Sequence, residues 1–244
     1  MIFEICIDSV EGAVAAQAAG AQRVELCDNL VEGGTTPSYG MVQVACRKAD
    51  IAVNVIVRPR GGDFVYTAAE FEVMQADIQA AKAAGAAGVV IGLLQPDGRV
   101  DMERTRALVE LARPLSVTFH RAFDMSRDPA EALEALCSLG IDRILTSGQK
   151  ATAMEGLECI ARMVKLAGER IIIMAGGGVN ASNVARIIAG TGVREVHFAA
   201  RKVVESPMTY RNPGCFMGKA YQPDEYITKV TDEKLIRTII EAAG

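Results

Sequence analysis

The feature that most constrains the fold is an alternation of short apolar runs with alanine-rich helical stretches along the whole chain. Continuous runs of Val, Ile and Leu are typical of parallel strands that are covered by helices on both sides. Eight runs predict strands over residues 3–7, 23–27, 53–57, 88–94, 115–120, 143–146, 171–174 and 195–198. Each is followed by a loop and a segment of helical period, the last of them over residues 232–243.

Glycines recur shortly before every second predicted strand. Gly20, Gly85, Gly140 and Gly192 precede strands 2, 4, 6 and 8, where a left-handed helix C-cap favours glycine. This recurrence suggests four βαβα quarters, so we predict an α/β fold, a (β/α)₈ TIM barrel forming a single domain over residues 1–244. The rival doubly wound sheet usually has a GxGxxG turn after strand 1, where this chain has "DSVEG".

Two details of the loops add to this prediction. Thr36-Pro37 and Asp128-Pro129 each predict a helix N-cap followed by the first helical residue. Residues from about 202 to 231, which include Tyr221, are predicted to be irregular. A loop of this length in a compact domain is usually functional or part of an interface, and the sequence leaves open whether it closes the barrel mouth or joins subunits.

Composition restricts the partners and the compartment. The chain has 244 residues and a net charge of −4, without a Lys/Arg block, which argues against nucleic acid and anionic membrane as main partners. Its first residues lack the pattern of a signal peptide, and its apolar runs are too short and too rich in Gly and Ala to span a bilayer. The six cysteines lack CxxC pairs and disulfide-scaffold spacing, which predicts a reducing, cytoplasmic location.

In such a barrel the C-terminal ends of all eight strands meet at one mouth, where active sites are built. The chain places polar and small residues at or near these ends, and they are the candidate site residues. They are Glu4, Cys6, Glu25, Cys27, Arg58, Arg60, Asp63, His120, Arg121, Asp124, Ser147, Gly148, Gly176, Gly177, Gly178 and His197. This set predicts a pocket for a small anionic or polyhydroxylated molecule.

Strand parity sharpens the prediction. Residues two apart face the same side of a strand, so the carboxylate and the thiol of strand 1 share a face, as do those of strand 2. If these faces point inward, the buried charges need partners. Arg58 is the predicted counter-charge for Glu4 or Glu25, which leaves Arg60 for a ligand. A purely structural salt-bridge network is the alternative interpretation of the same residues.

The three glycines 176–178 lie between strand 7 and the following helix. Backbone amides at such a turn can bind an anion, aided by the helix dipole, and the loops after strands 7 and 8 are the usual phosphate site of this fold. The alternative is a tight turn that needs positive φ. Ser147 and Gly148, in "TSGQK", add a hydroxyl and further amides next to this turn.

Cys6 and Cys27 are predicted on neighbouring strands, which lie roughly 4.8 Å apart. Two thiolates at such a separation could hold one Cu(I) ion linearly, because thiolate ligands favour Cu(I). Free cysteine is also a common small core residue, which is the alternative. The chain has no H-x-x-x-H, CxxC or carboxylate-rich spacing, so zinc and magnesium have no motif support.

Several long motifs resemble those of the CutC family, which is named for copper homeostasis. They are "EICIDSVEGAVAAQAAGAQRVELCDNLVEGGTTPS", "RPRGGDFVY", "VTFHRAFD", "RILTSG" and "MAGGGV", in this order over essentially the whole chain. The resemblance implies a TIM barrel, a cytoplasmic location and a homo-oligomer, a dimer or a tetramer. The cysteines proposed as Cu(I) ligands in that family match Cys6 and Cys27.

Two functional hypotheses follow. In the first, the chain binds copper through its two strand-end cysteines. In the second, it is a metabolic enzyme, a hydrolase or lyase, with Glu4 or Glu25 as acid and base and His120 as proton shuttle or orienting group. Arg58 and Arg60 would then clamp the substrate, and the glycine turn would hold an anion. Nothing in the sequence indicates NAD, PLP or flavin.

Overall fold

The structure is a computed structural model that describes residues 1–215, 217 and 224–244. Eight parallel strands form a closed barrel, in which each strand pairs with the next and the last pairs with the first. The strands are β1 (Ile2–Ile7), β2 (Arg23–Leu26), β3 (Ala52–Ile56), β4 (Gly88–Ile91), β5 (Ser116–Phe119), β6 (Arg143–Thr146), β7 (Ile172–Gly176) and β8 (Glu195–Phe198). The predicted TIM barrel is therefore confirmed.

One helix follows each barrel strand along the described part of the chain. The helices are α1 (Val10–Ala18), α2 (Tyr39–Lys48), α3 (Ala68–Ala83), α4 (Met102–Ala112), α5 (Pro129–Ser138), α6 (Leu157–Ala167), α7 (Val184–Thr191) and α8 (Glu233–Glu241). They cover outward-facing strand residues such as Ile5, Val24 and Val55, which are buried. Within the described residues, no helix has both the length and the apolar character needed to cross a membrane.

The helix ends show why the local sequence folds as it does. Gly20, Gly85, Gly140 and Gly192 all have positive φ, between 69° and 90°, which confirms the predicted left-handed positions before strands 2, 4, 6 and 8. Asp128 caps α5 as predicted, accepting the amide hydrogens of the first turn.

The predicted strand limits agree with the observed ones to within two residues except in β4, and one predicted helix start is also wrong. Helix α2 does not begin at Thr36-Pro37, because Ser38 is its N-cap and accepts the amide hydrogen of Met41 at 3.2 Å. Strand β4 stops at Ile91 rather than continuing to Leu94. Leu94 instead forms an isolated bridge with Val100 in the loop above the strand, so the apolar run covers both a strand and its loop.

The prediction that residues 202–231 are irregular is wrong at both ends of this segment, where the structure has strands. Strands β9 (Arg201–Glu205) and β10 (Ile227–Thr231) form an antiparallel pair outside the barrel. Both strands combine β-branched residues with charged ones and are largely exposed, which fits a two-stranded sheet on the surface. Tyr221 lies outside the described residues.

Candidate functional site

The lower part of the barrel interior holds a layer of buried ion pairs. Arg23 pairs with both Glu4 and Glu195, and Arg143 Nε lies 2.8 Å from Glu195 Oε2. Asn54 also donates to Glu4, at 3.3 Å. All five side chains are buried, so each carboxylate is neutralised by a neighbouring guanidinium. The structural salt-bridge interpretation therefore describes this layer.

The prediction that Arg58 neutralises Glu4 or Glu25 is wrong. Its terminal nitrogens donate to three loop carbonyls instead, those of Glu32, Gly34 and Gly62, at 2.7–2.9 Å. Arg58 lies two residues beyond the end of β3, where strand parity no longer fixes the direction of a side chain. It therefore holds the mouth loops together.

The residues that neutralise the carboxylates were missed in the sequence, although parity could have found them. Arg23 is two residues before Glu25, and Glu195 is two residues before His197. Both therefore share the inward face of residues already singled out. Arg143, at the start of β6, completes the layer from the opposite side of the barrel.

His197 stands directly above this layer, between two carboxyl groups. Its Nδ1 lies 2.8 Å from Glu4 Oε1, and its Nε2 lies 3.6 Å from Glu25 Oε2. Burial lowers the pKa of His197, but its hydrogen bonds with Cys6 and Glu4 and the charges of both carboxyl groups raise it well above the usual value. Burial also raises the pKa of Glu4, but the hydrogen bond and the charge of His197, with the charge of Arg23, lower it to about 2.

The two strand-end thiols are brought together as predicted. Cys6 Sγ lies 3.9 Å from Cys27 Sγ, and Cys27 Sγ lies 3.5 Å from Glu25 Oε2. One ligand atom from each of these three residues falls within 4.8 Å of the others. Three potential metal ligands of two chemical types thus meet at the upper end of β1 and β2.

The proton affinities of these groups diverge. The hydrogen bond from Cys27 and the contact with His197 overcome burial and lower the pKa of Cys6 to about 5. The same hydrogen bond, together with burial, raises the pKa of Cys27 well above its usual value. Burial raises the pKa of Glu25 to about 8. At neutral pH the site therefore holds one thiolate, one thiol and one protonated carboxyl group.

A cavity of about 110 Å³ opens above this cluster at the barrel mouth. It is lined by Cys6, Glu25, Gly33, Ile56, Arg58, Phe64, His120, Arg121, Leu145 and His197. His120 is buried beside Phe64, with 5.1 Å between the ring centroids. Burial and the charge of Arg58 lower the pKa of His120 to about 3, so its imidazole is neutral at physiological pH.

Two other predicted residues do not line this cavity. Arg60 Nε lies 2.6 Å from Glu70 Oε1, and Arg60 Nη2 lies 3.0 Å from Asp63 Oδ1. The same guanidinium lies 5.2 Å from the Tyr66 ring centroid and also donates to loop carbonyls. Arg60 and Asp63 therefore connect the loop after β3 to the start of α3.

Asp124 organises the loop after β6. It accepts hydrogen bonds from the amides of Ser147 and Gln149 at 3.0–3.1 Å, from the Ser147 hydroxyl at 2.9 Å and from Thr146. Arg121 lies 2.7 Å from Asp124 and from Ser147 Oγ. Of these residues, Arg121 reaches the cavity, and the others hold it in position.

The glycine turn over residues 176–178 has the positive φ values that a tight turn requires, which was the alternative to an anion site. Gly177 and Gly178 have φ values of +101° and +69°, and Gly148 in the neighbouring loop has +72°. A Cβ at Gly177 would lie 3.1 Å from Ser147 Cβ and 3.6 Å from Arg121 Cζ. Gly176, at the end of β7, packs against His197 in the same way. The turn is therefore adjacent to the cavity, and anion binding there stays a prediction.

The fold and the site define a class of protein: a (β/α)₈ barrel with paired thiols, an imidazole and a carboxyl group below an arginine-lined mouth. The sequence model of the CutC family matches residues 1–202. A "family protein CutC" from Mesorhizobium japonicum is 51% identical over 99% of this chain and 94% of its own length. The chain therefore belongs to the CutC family.

Two further relatives agree with this assignment. A copper homeostasis protein cutC homolog from Homo sapiens is 50% identical over 98% of this chain and 87% of its own length. A solved structure of a CutC copper homeostasis protein from Streptococcus agalactiae has a TM-score of 0.77 and 36% identity, over 81% of this chain and 98% of that one.

Proposed function

We propose that this chain acts in copper homeostasis and binds Cu(I) through Cys6 and Cys27. The observation that carries the proposal is the 3.9 Å separation of their sulfur atoms at the barrel mouth. Thiolates are soft ligands and favour Cu(I). The name of the human relative, a copper homeostasis protein, supports the same function.

The donor set fits a soft metal ion as cargo. With metal–sulfur bonds of roughly 2.3 Å, one ion can contact two sulfur atoms that are 3.9 Å apart. Glu25 offers a third ligand atom within 4.8 Å of both sulfurs. The low pKa of Cys6 supplies one thiolate at neutral pH, whereas Cys27 must lose a proton on binding. Affinity should therefore fall as the pH falls.

The test is an anaerobic Cu(I) competition titration against a calibrated chelator. Wild-type protein should bind one equivalent, and Cys6→Ser/Cys27→Ser should lose this binding. Cys46→Ser and Cys159→Ser are the controls, because these half-buried cysteines lie in helices α2 and α6, away from the mouth. Binding that is unaffected by the double substitution would refute the proposal.

The compartment and the assembly state are part of the same proposal. All six cysteines are free thiols in the structure, as expected for a protein of the reducing cytoplasm. The family resemblance supports a homo-oligomer, a dimer or a tetramer. Light scattering of the purified chain under reducing conditions measures this directly, and a monomer across the micromolar range would contradict it.

A second candidate function is an enzyme, a hydrolase or lyase that acts on a small anionic substrate. It is favoured by one observation: the cavity joins a protonated carboxyl, a neutral imidazole and two guanidinium groups. Glu25 would be the acid and base, and His120 would orient the substrate. Arg58 and Arg121 would hold its charge.

Glu4 takes a different part in this candidate function. Its carboxylate is held by Arg23 and His197, so it positions the imidazole instead of transferring protons. A metabolite screen with purified protein tests the enzyme. Glu25→Gln should abolish turnover while the fold persists, and Cys46→Ser should keep full activity. Turnover that survives Glu25→Gln would remove Glu25 from the mechanism.

A further inference from the structure

The cavity at the barrel mouth is lined by three side chains that each carry a buried polar atom without a partner among the described residues. These atoms are Oε1 of Glu25, Nε of Arg58 and Nε2 of His120. The side chains are only 4%, 6% and 5% exposed. Unpartnered buried polar atoms are costly and rare, so three of them in one cavity indicate a place where a bound molecule completes their hydrogen bonds.

Two of these atoms are hydrogen-bond donors. Nδ1 of His120 accepts the amide hydrogen of Ala122 at 3.1 Å, which leaves the ring proton on Nε2. Nε of Arg58 is likewise a donor that lacks an acceptor, whereas the terminal nitrogens of that guanidinium donate to loop carbonyls. Arg121 adds a second, partly exposed guanidinium. Two arginines beside a neutral donor match an anionic group with two oxygens, a carboxylate.

The lower side of the cavity has a different character. Glu25 offers its unpartnered oxygen there, beside His197 Nε2, which is 3.6 Å from the other oxygen of the same carboxyl. A hydroxyl or carbonyl oxygen of a ligand could form hydrogen bonds with this pair. Phe64 and Leu145 supply apolar wall between the two polar ends, where a short carbon chain would pack.

The size of the cavity restricts the ligand further. Its volume of about 110 Å³ is well below the roughly 300 Å³ of the smallest pockets for drug-sized molecules. At roughly 10–15 Å³ of such space for each water-sized group, it holds about seven to eleven such groups. A sugar phosphate is too large to enter completely, whereas a short carboxylic acid fits.

We infer that this cavity binds a short carboxylic acid of about two to four carbon atoms with an oxygen at C2, whose roughly five to seven non-hydrogen atoms fit the volume. Its carboxylate bonds to His120, Arg58 and Arg121, and its C2 oxygen bonds to Glu25. Water can bond to these atoms in the free protein, and an acid that reproduces those bonds displaces water without losing them. The inference rests on the second candidate function, the enzyme, and names its substrate class.

The test is calorimetric titration of the full chain, treated with a metal chelator, at neutral pH. The probes are lactate and pyruvate, with propionate lacking the C2 oxygen, 1,2-propanediol lacking the carboxylate, and inorganic phosphate as the alternative anion. We expect lactate or pyruvate to bind at least about tenfold more tightly than propionate, and propanediol not to bind. Phosphate should not compete with the acid.

Two substitutions and one matched control locate the binding. His120→Asn keeps an acceptor for the Ala122 amide but removes the Nε2 donor, and Arg58→Lys removes the Nε donor. Each should weaken acid binding about tenfold. Arg60→Lys is the control, since Arg60 lies in the same loop but bonds to Asp63 and Glu70 outside the cavity. It should leave the affinity unchanged, and circular dichroism verifies the fold of each variant.

The outcomes separate this inference from the enzyme on which it rests. Binding of the acids without any turnover supports the ligand class and contradicts the proposed enzymatic function. Turnover of another metabolite by a protein that binds none of the acids overturns the ligand class and keeps the enzyme. Binding of phosphate alone, or equal acid affinity in His120→Asn, Arg58→Lys and wild type, also overturns the inference.

Discussion

His197 Nδ1 lies 2.8 Å from Glu4 Oε1, although 193 positions separate the two residues in the chain. The contact exists because β8 pairs with β1 when the barrel closes, and the register places Glu4 directly beside His197. The carboxylate fixes the orientation of the imidazole and directs its other nitrogen toward Cys6 and Glu25. Barrel closure thereby assembles the reactive part of the mouth.

The first prediction concerns the reactivity of Cys6. Because its pKa is about 5, wild-type Cys6 should react with iodoacetamide at a rate that rises near pH 5 and is level at neutral pH. Cys27→Ala removes the main hydrogen bond to the thiolate and should move this midpoint upward, toward the free-thiol value of about 8.5. Peptide mass spectrometry over a pH series measures the rate at Cys6.

Cys46→Ala is the control for this experiment, because Cys46 lies in α2 and its own pKa is raised by burial. The pH profile of Cys6 should be the same in this variant as in wild type. A wild-type midpoint near 8.5 would mean that neither Cys27 nor His197 stabilises a thiolate at this position.

Most of the fold could be predicted from the sequence, because barrel strands are short and covered on both sides. The eight apolar runs matched the barrel strands, and the recurring glycines matched the left-handed positions before alternate strands. Strand parity also predicted that Cys6 and Cys27 lie close together, since both residues lie on the inward faces of β1 and β2 or continue them.

The sequence was least informative where the strands end. Arg58 was assigned by parity to the lumen, but beyond β3 the backbone leaves the strand and the side chain bonds to loop carbonyls. The guanidinium of Arg60 forms ion pairs with Asp63 and Glu70, and these carboxylates come near it only when the loop is folded. Loop conformation depends on contacts that no local period encodes.

The second prediction tests the buried ion-pair layer. Arg23→Met leaves Glu4 and Glu195 buried with fewer positive partners, so the free energy of unfolding should fall by about 3–5 kcal/mol. Arg170→Met breaks an exposed pair with Glu134 and should cost about 1 kcal/mol or less. Urea denaturation measures both variants, and equal losses would show that the buried layer contributes no more than a surface pair.

The third prediction concerns the glycine turn beside the cavity. Gly177→Ala places a Cβ 3.1 Å from Ser147 Cβ at a φ of +101°, so it adds a steric clash to backbone strain. Gly20→Ala is the matched control, because it has a φ of +90° but no atom within 4 Å of the new Cβ. Strain alone costs about 1–2 kcal/mol, which lowers the Tm of a chain of this size by roughly 2–8 °C.

Gly177→Ala should therefore lower the Tm clearly more than Gly20→Ala does. Differential scanning calorimetry of the two variants under the same conditions makes the comparison. If the two losses are equal, the contact between the turn and Ser147 is loose enough to absorb a methyl group, and the glycine is required for its φ alone.

The last prediction concerns the dependence of stability on pH. Burial raises the pKa of Glu25 from 4.5 to about 8, so between these values the folded chain keeps a proton that the unfolded chain loses. The contribution of Glu25 to stability is therefore full below about pH 4.5 and is lost as the pH rises toward 8. Glu25→Gln cannot titrate, and it should gain stability relative to wild type over this range.

The gain should approach about 1.4 kcal/mol for each pH unit once the unfolded carboxyl is ionised. Urea denaturation at intervals across the range, with a metal chelator present, gives the difference between the two proteins. Subtracting the variant from wild type removes the titrations of groups remote from Glu25. Cys6 and His197 interact with Glu25, so their altered titration remains part of the difference. A difference that stays constant with pH would show that Glu25 is already ionised in the folded chain and is paired with His197 as a carboxylate.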